Sequence, residues 1–226
     1  MAGILYGAGV GPGDPELMTL KAVRLIRENE VIAFPGEAPQ ETTAYQIAVQ
    51  AVPELREKEL LPLPMPMIMD REEQERQHRE DADRIEAVLE EDRNVVFLTL
   101  GDPTVYSSFS YIQKIVEKDG YEAVPVSGVP SFCAAAAALK TPLAEWTEPL
   151  HILPALHQTG SLPDLPGNCV LMKTGSGMRE VKESLKKSGR QICMAENCGM
   201  PGEKLYHSLE EIPDDAGYFS LLIVKN

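Results

Sequence analysis

Three short turns carry the residues of this chain best suited to chemistry. The first is Gly7-Ala8-Gly9-Val10-Gly11-Pro12-Gly13-Asp14-Pro15. The second is Leu98-Thr99-Leu100-Gly101-Asp102-Pro103-Thr104-Val105-Tyr106, and the third is Val126-Ser127-Gly128-Val129-Pro130-Ser131-Phe132. Each follows an apolar run and precedes a helical pattern. Glycine at such a place lets the backbone turn sharply and approach a ligand or another loop. The first turn is not a dinucleotide fingerprint: G-x-G-x-x-G needs glycine at 12 or 14, and those are Pro12 and Asp14. An acid there also opposes a pyrophosphate at the helix start, and Phe34 is followed by Pro35 rather than by a ribose-binding acid. Taken singly, Gly101-Asp102-Pro103 is an ordinary turn and Ser131 an ordinary helix cap.

The elements that must hold these turns alternate between strand and helix. Ile4 to Tyr6 reads as a strand. Leu17, Leu20, Val23 and Ile26 recur every three residues, with Met18, Ala22 and Leu25 beside them, and predict one wide apolar helix face, capped by Asp14 or Thr19 with Pro15 in the first turn. Val31 to Phe34 is a second strand, and Thr43 to Val52 a helix. Leu60 to Met69 is a strand end running into a proline-broken loop. Residues 71–92 are densely charged, but Ala82, Ile85, Val88 and Leu89 mark a buried stripe and hence an amphipathic helix. Val95 to Leu100 is almost wholly apolar, as a strand buried on both faces requires. Val105, Phe109, Ile112 and Val116 predict the next helix face, ended by Gly120. Tyr121 to Val126 is another strand, and Ser131 caps an alanine-rich helix.

This rhythm predicts an α/β fold with a mostly parallel sheet covered on both faces. After Pro142 it changes: five short strands surround one helix at about Met178 to Lys187. The expected organisation is an N-terminal α/β domain over residues 1–128 and a smaller mixed-sheet α+β domain over 129–226. The three turns emerge at one edge of the first sheet, where open α/β sheets bind ligands.

Composition narrows the partners. The 226 residues carry a formal net charge of -14, which argues against nucleic acid or an anionic membrane as the main partner. The N-terminus lacks a basic region and a long apolar run, so no signal peptide is expected, and no stretch reaches the ~18 apolar residues of a membrane span. Cys133, Cys169, Cys193 and Cys198 form no CxxC pair and read as reduced, mostly buried thiols of a cytoplasmic protein. His78, His151, His157 and His207 show no metal-ligand spacing, so no protein-bound metal is expected.

Read together and in order, the first turn with its continuation Glu16-Leu17-Met18-Thr19-Leu20-Lys21-Ala22, Leu100-Gly101-Asp102-Pro103 and the Ser131-Phe132 loop resemble the tetrapyrrole (corrin/porphyrin) methylase family over essentially the whole chain. Phe97 to Ser107 with Ser131-Phe132-Cys133-Ala134 looks like the branch that methylates C20 of precorrin-2 or cobalt-factor II in cobalamin biosynthesis. The resemblance implies a two-domain methylase fold, a homodimer, and S-adenosylmethionine bound in a cleft between the domains. Carried over, the cofactor contacts are Val10, Pro12, Gly101, Asp102, Val105, Ser131, Phe132 and Met172, with Ala155 and Ala195 as looser matches. Where the branch acting on uroporphyrinogen III has an aspartate after the second strand, this chain has Phe34-Pro35-Gly36, which fits the C20 branch better and leaves no inherited base.

Methyl transfer from a sulfonium needs alignment more than acid or base, since the leaving thioether takes no proton. Tyr106 is the candidate catalytic residue, to orient substrate or assist loss of the meso proton. The substrate class carries several carboxylates, so an acidic protein must gather basic groups locally; Lys21, Arg24, Lys140 and Lys173 are candidate contributors. Met65, Met67, Ile68 and Met69 read either as an adaptable apolar wall or as core filling or a dimer contact. The alternatives are a related methylase acting at another ring position or on a protein histidine, and a non-catalytic nucleotide-binding module.

Overall fold

The computed structural model describes residues 2–66, 70–154, 165–174 and 177–226. The chain divides into two compact units, Met1–Pro130 and Ser131–Asn226.

The first unit alternates as its sequence predicts: β1 (Ile4–Gly9), α1 (Leu20–Glu28), β2 (Val31–Pro35), α2 (Thr43–Ala51), β3 (Glu59–Leu63), α3 (Arg71–Glu90), β4 (Val95–Thr99), α4 (Phe109–Lys118) and β5 (Glu122–Val126). Its sheet has the order β3-β2-β4-β1-β5, and every pairing is parallel. β4 is buried at all its positions, as its apolar run demands. Ala22, Leu25 and Ile26 of α1 and Ile47 and Ala48 of α2 pack with Ile32, Phe34, Val96 and Leu98 on one face. Ile85 and Leu89 of α3 and Ile112 and Val116 of α4 pack with Leu5, Val31, Val95 and Phe97 on the other.

This order creates a crevice. β1 and β4 are neighbours, but the chain leaves β1 by way of α1 on one face and leaves β4 by way of α4 on the opposite face. The connections part at the carboxyl ends of these two strands, which is the switch point where open α/β sheets take ligands.

The predicted apolar face of the first helix needs correction. Asp14 caps a separate 3-10 turn, Pro15–Leu17, by accepting from the Glu16 amide at 2.8 Å. The helix starts afresh at Leu20, where Thr19 accepts from the Ala22 amide at 3.2 Å. Restarting the helix resets its phase, so Ala22, Leu25 and Ile26 are buried while Leu20 is 89% exposed. Val105 likewise precedes α4 instead of belonging to its buried face.

The second unit contains α5 (Ser131–Ala138), β6 (Leu150–Pro154), β7 (Asn168–Met172), α6 (Met178–Lys186), β8 (Gln191–Glu196), β9 (Lys204–Tyr206) and β10 (Ser220–Lys225). Its sheet has the order β6-β7-β10-β8-β9, with only β6 and β7 parallel. Met178, Val181 and Leu185 of α6 cover one face, against Cys169, Leu171, Met194 and Leu222. α5 packs on β8 and β10 outside that cluster. Ser131 is the first residue of α5 rather than its cap. Cys169 and Cys193 are buried, but Cys133 is exposed and Cys198 half-buried, so burial holds for two of the four thiols.

Candidate active site

At the carboxyl ends of β1 and β4 the first two turns are stitched backbone to backbone. The Val10 amide donates to the Thr99 carbonyl and the Gly101 amide to the Gly11 carbonyl, each at 2.9 Å. Asp102 then ties in the third turn. Its Oδ2 accepts from the Gly128 amide at 2.9 Å, while its Oδ1 accepts from the Thr104 amide at 2.8 Å and the Thr104 hydroxyl at 2.5 Å. The carboxylate is buried, so these charge-assisted bonds replace the water it has lost.

The approach is closer than any side chain permits. A Cβ on Gly128 would strike the Gly101 carbonyl oxygen and lie 2.9 Å from the Gly9 Cα; one on Gly9 would strike the same oxygen and lie 2.9 Å from the Gly128 Cα. Three backbones therefore meet at one point. Thr19, besides capping α1, donates its hydroxyl to the Ser127 carbonyl at 3.4 Å and anchors α1 beside this knot.

The second turn is held on its far side too. The Val105 amide donates to the Asp102 carbonyl at 3.2 Å. Ser107 shares a hydroxyl hydrogen bond with Thr99 at 2.9 Å and accepts from the Phe109 amide at 3.2 Å. Between these fixings Tyr106 takes a left-handed backbone, φ 50°, and is 49% exposed.

Of the other expected contact residues in the first unit, Val10, Pro12 and Gly101 are buried and Val105 is half-buried. In the second unit, Met172 at the end of β7 faces Leu221 of β10, and Leu221 faces Ala195 of β8. Met172 and Ala195 thus lie in one row across three adjacent strands. Pro154 continues that row on β6, and Ala155 lies outside the described residues. Phe132 is buried on α5, and Ser131 beside it is half-buried.

The remaining expectations divide. Met65 packs against the core under α3 and α4, while Met67, Ile68 and Met69 lie outside the described residues. Arg24 pairs with Glu28 at 3.3 Å. Lys21 and Lys140 are exposed, and Lys173 is half-buried. No group of three or more potential ligands for a metal occurs among the described residues. Sequence reading missed Gly9 and Gly128 as a contact pair, Thr104 as a partner of Asp102, and the Thr99–Ser107 pair. The signal for the first was a glycine at the end of β1 and another two residues beyond β5. The others are contacts made by folding.

The donor set decides what this site can hold. Residues 7–14, 99–106 and 126–132 carry two carboxylates, Asp14 and Asp102, and no lysine, arginine or histidine. Such turns suit a cation and oppose a phosphate.

Comparison with known proteins matches this picture. The model of the tetrapyrrole (corrin/porphyrin) methylases matches residues 4–213. The chain is 35% identical to the probable cobalt-precorrin-2 C(20)-methyltransferase of Methanocaldococcus jannaschii, over 98% of this chain and 95% of that one. It is 32% identical to the cobalt-precorrin-2 C(20)-methyltransferase of Salmonella typhimurium, over 100% of this chain and 97% of that one. Among solved structures, a uroporphyrin-III-C-methyltransferase from Thermus thermophilus is similar, with a TM-score of 0.72 and 25% identity over 100% of this chain and 93% of that one.

Proposed function

The chain belongs to the tetrapyrrole (corrin/porphyrin) methylase family, and from that premise we infer that it transfers a methyl group from S-adenosylmethionine to C20 of precorrin-2 or its cobalt form. The step belongs to cobalamin biosynthesis. The observation that carries this reading is the end-to-end similarity to two relatives named for that carbon, at 35% and 32% identity. A third relative, from Sinorhizobium sp., is named for the metal-free substrate and is 28% identical. A Thermus thermophilus neighbour of the same fold was solved with S-adenyl homocysteine, the demethylated cofactor.

The residues present fit the cofactor. A sulfonium is a cation, and the turns offer it carboxylates and backbone carbonyls with no competing positive charge. Val10, Pro12, Gly101, Asp102 and Val105 of the first unit would hold it, together with Ser131, Phe132, Met172 and Ala195 of the second; Ala155 completes the expected set. When bound, S-adenosylmethionine would supply an electrophilic methyl open to in-line attack by an electron-rich carbon, with the thioether as the leaving group. The chain's own task is alignment, which supplies roughly 7–11 kcal/mol in well-oriented reactions. Asp102 serves alignment as a positioning residue. Three of its hydrogen-bond sites are occupied by Gly128 and Thr104, so it fixes the turns relative to each other. Tyr106 is the residue we place against the substrate. The same reading makes the protein a cytoplasmic homodimer. No helix among the described residues is long and apolar enough to cross a membrane.

The test is incubation with methyl-labelled S-adenosylmethionine and either precorrin-2 or its cobalt form, assayed side by side. The expected result is a mass gain of one methyl group and a labelled carbon attached at C20. A methyl at another ring position, or no transfer to either substrate, overturns the reading.

A further inference from the structure

Tyr106 is the only non-glycine residue of the three turns with a left-handed backbone, φ 50°. For a bulky aromatic residue that conformation is uncommon and costs free energy, so it persists only where the surroundings enforce it. Here they do. On one side the Asp102 carboxylate holds Thr104 and Gly128, and the Val105 amide reaches the Asp102 carbonyl. On the other, Ser107 is locked to Thr99 and to the Phe109 amide. The strain has a consequence: an aromatic ring at the switch point stays 49% exposed instead of turning inward with its neighbours Ser107 and Phe109, which are buried.

The position of exposed apolar bulk points the same way. In the first unit the large hydrophobic side chains most open to solvent among the described residues are Leu20, Tyr106 and Tyr111. All three follow carboxyl ends of strands: Leu20 opens α1 after β1, Tyr106 closes the turn after β4, and Tyr111 lies in the first turn of α4. Of the three, Tyr106 alone stands in a turn and not on a helix. A flat, largely apolar macrocycle is the ligand class that such a ring suits, because aromatic faces stack in offset geometry and lose little freedom in doing so.

We propose that Tyr106 is a substrate-specificity residue, its ring presented by the strained turn as a platform for one face of the tetrapyrrole, with the ring and not the phenolic hydroxyl making the contribution. This rests on the C20-methyltransferase reading. A tyrosine needed only for its hydroxyl requires no left-handed backbone. The left-handed turn sets the direction of the Tyr106 Cα–Cβ bond, and with it the side from which the ring is offered.

The backbone supplies an unusually clean test. Glycine is at ease at φ 50°, so Tyr106→Gly removes the ring and relieves the strain together. Thermal unfolding should show the variant still folded, because Asp102 and Ser107 hold the turn on either side. With the unaltered enzyme active, Tyr106→Phe should keep the KM for the macrocycle within about twofold. Tyr106→Gly should raise that KM tenfold or more while calorimetry shows an unchanged Kd for S-adenosylmethionine. A glycine variant with wild-type KM overturns the proposal, as does a phenylalanine variant impaired as badly as the glycine variant. Weakened cofactor binding in Tyr106→Gly also overturns it, by assigning the ring to the cofactor. Absence of turnover in the unaltered protein with either substrate removes the functional reading itself, a different outcome from these.

Discussion

Gly128 meets Gly101 and Gly9 so closely that the contact is made by backbone on both sides. Neither side can yield, unlike a flexible side chain. Gly128→Ala should therefore cost about 1–3 kcal/mol or more of stability and abolish binding of S-adenosylmethionine. Thermal unfolding and calorimetry measure the two effects, and a variant that folds and binds normally would contradict the knot. A gentler case lies further down β1. A Cβ on Gly7 would run into the Phe109 ring, so Gly7→Ala should cost about 1–3 kcal/mol. Combining it with Phe109→Leu should recover part of that loss, since contacting residues are non-additive. Strictly additive losses in denaturant midpoints would show that the two do not touch.

At the scale of the element, α3 carries an anomaly away from the active site. Asp81 has no exposed surface, and among the described residues neither carboxyl oxygen finds a partner of proper hydrogen-bond geometry. Burial pushes its pKa up from 3.8 to about 6; the Gln77 amide and the Arg84 guanidinium oppose the rise, and Glu80 adds to it. The sign follows from linkage. Below the unfolded value both states hold the proton and nothing is lost. Between that value and about 6 the folded state keeps a proton that the unfolded chain has released. Above about 6 the folded state must carry a buried charge, and about 3 kcal/mol of stability is gone. Stability should fall between pH 4 and pH 7 in the wild type relative to Asp81→Asn, whose side chain does not titrate. Urea midpoints across that range measure the difference, and parallel curves for the two proteins would assign the proton elsewhere. Burial also lowers the pKa of His78, one turn earlier on α3, against the opposing charge of Glu75, and its ring stacks on Tyr111 with centroids 4.8 Å apart.

For the whole molecule the governing quantity is its charge of -14. The proposed macrocycle is a polyanion, and S-adenosylmethionine is a net cation. The protein's field repels the first and attracts the second, and salt screens both within about 10 Å at 0.1 M. Raising ionic strength from 20 to 300 mM should therefore lower the KM for the macrocycle and raise that for S-adenosylmethionine. Steady-state kinetics with each ligand varied in turn would reveal it. A macrocycle KM that rises with salt would mean that local lysines and arginines outweigh the net charge.

The alternation of strands and helices was legible because apolar periodicity is local: a buried parallel strand must be apolar throughout, as Val95 to Leu98 are, and an amphipathic helix must repeat every 3.6 residues. The three turns were legible because glycine, aspartate and proline after a strand have few other uses. What periodicity could not supply was phase. Leu20 fits an apolar repeat and yet stands in solvent, because a 3-10 turn interrupts the chain at Pro15–Leu17 and the helix begins again behind Thr19. Nor could it supply partners. The composition of the second turn makes Asp102 a ligand candidate. Only folding brings the Gly128 amide, 26 residues away, onto its carboxylate. Strand order is likewise absent from the sequence, since β1 and β4 pair across some ninety residues, and a contact at that separation is set by the packing of both sheet faces together. Amino-acid order thus determined which turns exist and what charge they carry. The tertiary structure alone decided that they meet at one point, because a meeting of backbones leaves no side-chain pattern to read.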